Sequence, residues 1–290
     1  MVKKVAIVGG THGNELTGVY LVKKWQKDPS QIKRSNFETI TLLANPKAVK
    51  LCRRYVEKDL NRSFSIQALS KPDNKYESKR AVELNAKLGP KGAKSTNVDF
   101  ILDLHTTTAN MGLSLVVSSQ SELTWKAVKY LCAKEPSLKV YRWRGDEEDS
   151  FVDSIVPNGF AIEVGPIPQG VLRSDLFFKT QTLTYHLLDF FQKLNDKKEL
   201  SECERKIEIY DHVKLIDYPR DENGEIAGLV HHERQDRDFE PVKKGDPLFE
   251  TFDKRTISYE DDEELYALFI NEAAYYEKGF AMTLAKKMTL

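Results

Sequence analysis

The sequence predicts an α/β fold: a mainly parallel mixed sheet flanked by helices, followed by a smaller β-rich domain. Three observations carry this. Apolar, β-branched runs alternate with amphipathic segments over residues 1–200, the pattern of strands linked by crossover helices. The stretch 197–206, KKELSECERK, is charged and breaks the alternation. Beyond it, short β-like runs are separated by the turn signals ENG and KKGDP. The expected domains are therefore 1–200 and 201–290.

Residues 4–9 are apolar and end on Gly9-Gly10, which reads as a buried first strand. Over 14–27, Leu16, Val19, Val22 and Trp25 recur at three-residue spacing, which predicts an amphipathic helix. Residues 37–43 read as a second strand, and NPKAVKLC as a loop with a short helix. The stretch 63–77 is polar and contains a proline, so a loop is expected. SKRAVELNAKLG is helical and stops on Gly89. Strands are expected at 98–104, 113–118 and 159–164, with helices at 121–134 and 173–196. The later β-like runs are IEIYDHVKLID, EIAGLVH, PLFETF and ELYALFI.

Composition narrows the function. The 290 residues hold 44 basic and 44 acidic side chains, and this balance argues against a general nucleic-acid binder. No apolar run reaches the ~18 residues a membrane helix needs. The start MVKKVAIVGG has too short an apolar stretch for a leader and is read as the first strand. Cys52, Cys132 and Cys203 are scattered, which fits reduced thiols and a cytoplasmic location.

The chemistry gathers at strand ends. His12 and Glu15 follow the first strand in VAIVGGTHGNE, and VDFILDLH ends on His105. Two imidazoles and one carboxylate are the ligand set of a catalytic zinc site. Glu163, in FAIEVGP, is an acid at an otherwise apolar strand end. Open α/β sheets bind ligands outside the carboxyl ends of their strands, which is where these four residues fall. A structural reading also fits: His12 capping a helix, His105 in the core, Glu163 paired with a base. GGTHG lacks the Lys-Ser/Thr of a phosphate-binding loop. CRRYVEKDLNRSF offers Arg54, Asn61 and Arg62 to a carboxylate or an oxyanion, and NEAAYYEK offers Tyr275 beside Tyr276. His186, His212, His231 and His232 read as structural; in a strand, the adjacent last two would face opposite ways.

The segments GGTHGNELTGVYLVKKW, NPKAVK, RYVEKDLNRSF, FILDLHTTTANMG, IEVGPIPQGVLR, DYPRDENGEIA and NEAAYYEK together resemble the aspartoacylase family, from residue 4 to about residue 280. That family belongs to the zinc carboxypeptidase-like group with succinylglutamate desuccinylase. The resemblance implies one Zn2+ per chain on His12, Glu15 and His105, with Glu163 as general base and acid. It implies that Arg54 polarises the scissile carbonyl, and that Asn61, Arg62 and Tyr275 hold the substrate carboxylate. It further implies a β-rich domain over the channel, a homodimer, and hydrolysis of N-acetyl-L-aspartate or a related N-acyl amino acid. Two positions depart. Aspartate-selective members carry an arginine where this chain has Asp153, and a lysine where it has Gly279. Arg142 or Arg144 could substitute, and deacylation of N-acyl aromatic or neutral amino acids is the alternative. A carboxypeptidase acting on peptides uses the same parts but needs an open groove.

Overall fold

The computed structural model of the protein describes residues 1–145, 149–200 and 206–290. Strand β1 (Lys4–Gly9) is the first apolar run. Its alternation sends Val5 and Ile7 into one core, and Ala6 and Val8 into another on the opposite face. A strand buried on both faces belongs in the middle of a sheet, and β1 lies between β2 (Glu38–Leu43) and β3 (Phe100–Thr106), parallel to both. Helix α1 (Leu16–Lys27) connects β1 to β2. Then follow α2 (Pro46–Leu51), α3 (Ile66–Ser70) and α4 (Tyr76–Leu88). The predicted loop 63–77 thus contains one short helix and the start of another. Capping explains the starts: the Ser65 hydroxyl accepts from the Ala68 N–H, and Asn45 does the same for α2.

After β3 come β4 (Gly112–Val117), α5 (Glu122–Lys134), β5 (Lys139–Arg142), β6 (Gly159–Gly165) and α6 (Ser174–Asn195). β6 pairs parallel with β3, whereas β4 runs antiparallel to β6. Only a short loop joins β3 to β4, too short for a parallel crossover, so the chain reverses there. Phe100, Phe160, Phe190 and Phe191 pack between this sheet and α6, with edge-to-face contacts at centroid distances of 4.9–5.3 Å.

The C-terminal strands are β7 (Glu208–Ile216), β8 (Gly228–Val230), β9 (Pro241–Val242), β10 (Pro247–Thr251), β11 (Thr256–Ser258), β12 (Leu265–Leu268) and β13 (Met282–Thr289). β7 pairs parallel with β5, so the large sheet continues as β2-β1-β3-β6-β4-β5-β7-β13-β12-β9. β8, β10 and β11 form a separate antiparallel sheet. The expected boundary at 200/201 abuts residues outside those described. No helix among the described residues is long and apolar enough to cross a membrane.

Candidate metal centre and catalytic cavity

The chain leaves β1 on opposite sides: α1 leads to β2 on one flank, and the later crossover leads to β3 on the other. The crevice at the carboxyl ends of β1 and β3 is the topological switch point. Gly10 turns the backbone there with φ +65°. Gly13 lies so close to α2 that an added Cβ would sit 2.1 Å from the Ala48 carbonyl carbon. That tight turn presents His12 and Glu15 to the crevice, and β3 delivers His105.

The three side chains converge and are buried. One ligand atom from each lies within 4.8 Å of the others. His12 Nδ1 is 2.6 Å from Glu15 Oε1, and His105 Nδ1 is 2.8 Å from Glu15 Oε2. Each ring meets a second carboxylate behind it. His12 Nε2 is 3.0 Å from Asp59 Oδ1, and His105 Nε2 is 2.6 Å from Asp103 Oδ2. An imidazole between two carboxylates must carry both protons or have a cation in place of one. Burial opposes charge on Glu15, but the two imidazoles prevail and hold its carboxyl well below the usual range. Burial likewise opposes a charged His105, yet Asp103 and Glu15 draw its pKa well above the ordinary value. A carboxylate behind an imidazole favours the Nε2–H tautomer and would leave Nδ1 for a metal, a recurrent support for metal-binding histidines.

Arg54 is anchored beside this cluster. Its Nη2 donates to Asp59 Oδ2 at 3.1 Å, and its Nη1 lies 3.4 Å from Glu15 Oε1. The loop that carries it is held by buried Glu77, which accepts from the backbone N–H groups of Val56 at 2.7 Å and Glu57 at 3.1 Å. Asn61 Oδ1 accepts from the Val152 N–H at 2.9 Å, and its Nδ2 is 3.5 Å from His105 Nε2. That ring nitrogen already donates to Asp103, so the Asn61 amide protons stay available to a ligand. Arg62 Nη1 donates to the Asn61 carbonyl at 2.9 Å, and its guanidinium lies 4.8 Å above the Phe151 ring.

Glu163 faces His105 across the β3–β6 pairing. Burial raises its pKa well above the carboxylate norm, Glu15 and Glu272 add to this, and His105 and Arg54 oppose it. Tyr275 enters from the C-terminal region on a 3-10 turn, Ala273–Lys278. The turn is clamped by buried Glu272, which accepts from the Thr108 N–H at 2.6 Å, from the Thr107 hydroxyl, and from the Ala274 N–H at 3.0 Å. Burial raises the Tyr275 pKa, so the phenol keeps its proton and remains a donor. Tyr276 instead stacks on Tyr218 at 4.8 Å.

All eight predicted site residues line one cavity of about 520 Å³. Asp59, Asp103, Glu77 and Glu272 escaped the sequence reading. Asp103 carried a usable signal, since residues two apart in a strand share a face with His105. Asp59 holds Arg54 nearby but reaches His12 only across the fold, and Glu77 and Glu272 clamp segments distant in sequence.

The Succinylglutamate desuccinylase/Aspartoacylase catalytic domain matches residues 1–191. The chain belongs to this family. Residues 205–287 match the AstE/AspA barrel-sandwich hybrid domain. A probable aspartoacylase from Trichodesmium erythraeum (strain IMS101) is 49% identical, covering 100% of this chain and 98% of its own length. The N-acyl-aromatic-L-amino acid amidohydrolase (carboxylate-forming) of Homo sapiens is 44% identical, covering 99% and 91%. The crystal structure of murine aminoacylase 3 superposes with a TM-score of 0.93 at 41% identity, covering 100% of this chain and 96% of that one.

Asp153 and Gly279, the two positions expected to depart from an aspartate-selective pattern, are placed differently. Asp153 is buried and lines the cavity, its pKa pushed up to about 7 by burial and by Asp103. Gly279 does not line the cavity; it ends the Tyr275 turn at φ +72°, beside the Asp217–Arg220 ion pair. Arg142 is occupied, with Nε and Nη2 each 2.6 Å from the Asp211 carboxylate. Arg144 does line the cavity, although its Nε is 3.2 Å from Asp211. Much of the remaining wall is aromatic: Tyr141, Trp143, Phe151, Phe269 and Phe280.

Among the other histidines, His231 and His232 occupy a turn, not a strand, so their rings stack at 4.3 Å and do not face apart. With Glu250 they form a second, more exposed cluster of potential ligands. His231 Nδ1 accepts from the Glu233 N–H at 3.3 Å. His212, expected to be structural, lines the cavity. Cys52 is exposed and Cys132 buried, while Cys203 lies outside the described residues.

Proposed function

We propose that the protein is a zinc-dependent deacylase that hydrolyses the amide bond of N-acyl amino acids to a carboxylate, such as acetate, and a free amino acid. The observation that carries this is the meeting of the two Nδ1 atoms on Glu15, with a carboxylate behind each ring and Glu163 on the neighbouring strand. His12, Glu15 and His105 would hold one zinc ion per chain. When bound, such an ion lowers the pKa of water towards neutrality and polarises a carbonyl.

The chain's own groups perform the rest. The raised proton affinity of Glu163 suits it to take a proton from the attacking water and keep it within the cavity. It then passes that proton to the leaving nitrogen. Arg54, fixed by Asp59 and Glu15, donates to the oxygen that gains charge as the carbonyl becomes tetrahedral. Arg62, the Asn61 amide and the Tyr275 hydroxyl hold the substrate's carboxylate. The C-terminal region supplies Phe269, Tyr275, Phe280 and Thr283 to the wall, which favours small substrates over peptides.

The two arginines should separate kinetically. Arg54→Ala is expected to lower kcat by roughly 100-fold or more, because its contact strengthens with the oxyanion. Arg62→Ala is expected to act mainly by raising KM, because the carboxylate it holds is charged throughout. Steady-state kinetics on zinc-loaded protein read the split, and the reversed pattern would exchange the two roles.

The wall favours aromatic and neutral side chains over acidic ones. Six aromatic side chains line it, Asp153 repels a second carboxylate when ionised, and Arg142 is committed to Asp211. A second reading, N-acetyl-L-aspartate as substrate, is favoured by Arg144 in the lining and by the 49% identical probable aspartoacylase. A panel of N-acetyl-tyrosine, -phenylalanine, -leucine and -aspartate decides between them. The first reading expects the highest kcat/KM with an aromatic substrate; a strong aspartate preference that disappears in Arg144→Ala would establish the second.

A further inference from the structure

His212 stands outside the chemistry just described, yet it lines the same cavity from β7. Its ring lies against Trp143, with centroids 4.5 Å apart, and Nδ1 is 2.9 Å from the Tyr141 hydroxyl. A phenol is a stronger donor than a neutral imidazole N–H, and a neutral imidazole nitrogen is a stronger acceptor than a phenol oxygen. The Tyr141 hydroxyl therefore donates to Nδ1. This places the imidazole proton on Nε2. Among the described residues Nε2 meets no hydrogen-bond partner and is not a buried unsatisfied atom, so it is accessible to solvent, on a ring that lines the cavity. Burial lowers the His212 pKa, and the neighbouring Asp211, which opposes this, is engaged by Arg142 and Arg144. The ring is thus a neutral donor set in an aromatic wall, held by the buried Tyr141 hydroxyl.

We propose that His212 is a specificity-determining residue whose Nε2–H binds an uncharged oxygen at the far end of an aromatic substrate side chain, such as a phenol. The proposal rests on the deacylase reading above. It distinguishes N-acetyltyrosine from N-acetylphenylalanine, which differ by that oxygen alone. A site that hydrogen-bonds a substrate hydroxyl leaves its own group unpaired with the analogue that lacks it.

The test measures kcat/KM for both substrates, with N-acetylaspartate as reference, on the zinc-loaded protein and three variants. The unmodified protein should favour the tyrosyl substrate by about ten-fold, mostly through KM, the worth of one hydrogen bond. His212→Phe keeps a flat ring without the donor and should bring the ratio close to one. His212→Gln returns an N–H donor and should restore part of the preference. Tyr141→Phe frees the tautomer and should lower the ratio to an intermediate value; it decides the matter should His212→Phe not fold. A merely structural His212 would change both substrates alike and gain nothing from glutamine. An unaltered ratio in His212→Phe with both aromatic substrates still cleaved overturns the role of His212 alone. Cleavage of N-acetylaspartate with neither aromatic substrate turned over overturns it together with the substrate reading.

Discussion

Glu163→Gln should retain zinc and substrate affinity while losing about two to four orders of magnitude in kcat, the range associated with a positioned general acid–base group. The amide matches the carboxyl in shape but can neither take the water's proton nor return it to nitrogen. Glu163 is also not one of the three converging ligand residues, so metal content should not change. Metal analysis and single-turnover kinetics on the same preparation separate the two effects. Near-normal turnover would mean that another group activates water; Asp153 and Glu272 are the other acids of the cavity lining outside the three ligand residues.

The second large effect concerns the metal. His12→Ala and His105→Ala should each lose zinc and activity together, because neither leaves three ligands. The carboxylates behind the rings should matter less but measurably. Asp59→Asn and Asp103→Asn are expected to weaken zinc binding by about 10- to 100-fold, as for other outer partners of ligating histidines. Asp59 also anchors Arg54, so Asp59→Asn should lower kcat beyond its effect on metal, whereas Asp103→Asn should not. Competitive titration with a chelator measures the affinities. Equal zinc affinity in all four variants would place the metal elsewhere.

The strength of local signals decides how much of this was legible in the sequence. β1, β3 and β6 were readable because apolar runs buried on both sheet faces leave a plain pattern. α1 was readable from its apolar spacing, although Glu15 turns its side chain to the imidazoles and the helix starts at Leu16. β13 was not read: its second half, Lys286–Thr289, is exposed and polar, and pairing with β7 makes it a strand. The extension of the main sheet through β7 was equally hidden, because register between distant strands leaves no mark in a short window. The site divides in the same way. His12, Glu15, His105 and Glu163 announce themselves as polar groups at apolar strand ends. Glu77 and Glu272 also clamp segments distant in sequence, and only the folded chain shows which loops they hold.

Anomalous diffraction at the zinc edge, on crystals of the zinc-loaded protein, tests the central claim most directly. The account predicts one strong peak per chain, bonded to His12 Nδ1, His105 Nδ1 and the Glu15 carboxylate, at about 2.0–2.2 Å from each. A chain whose principal peak lies at His231, His232 and Glu250, with none between His12 and His105, would contradict it.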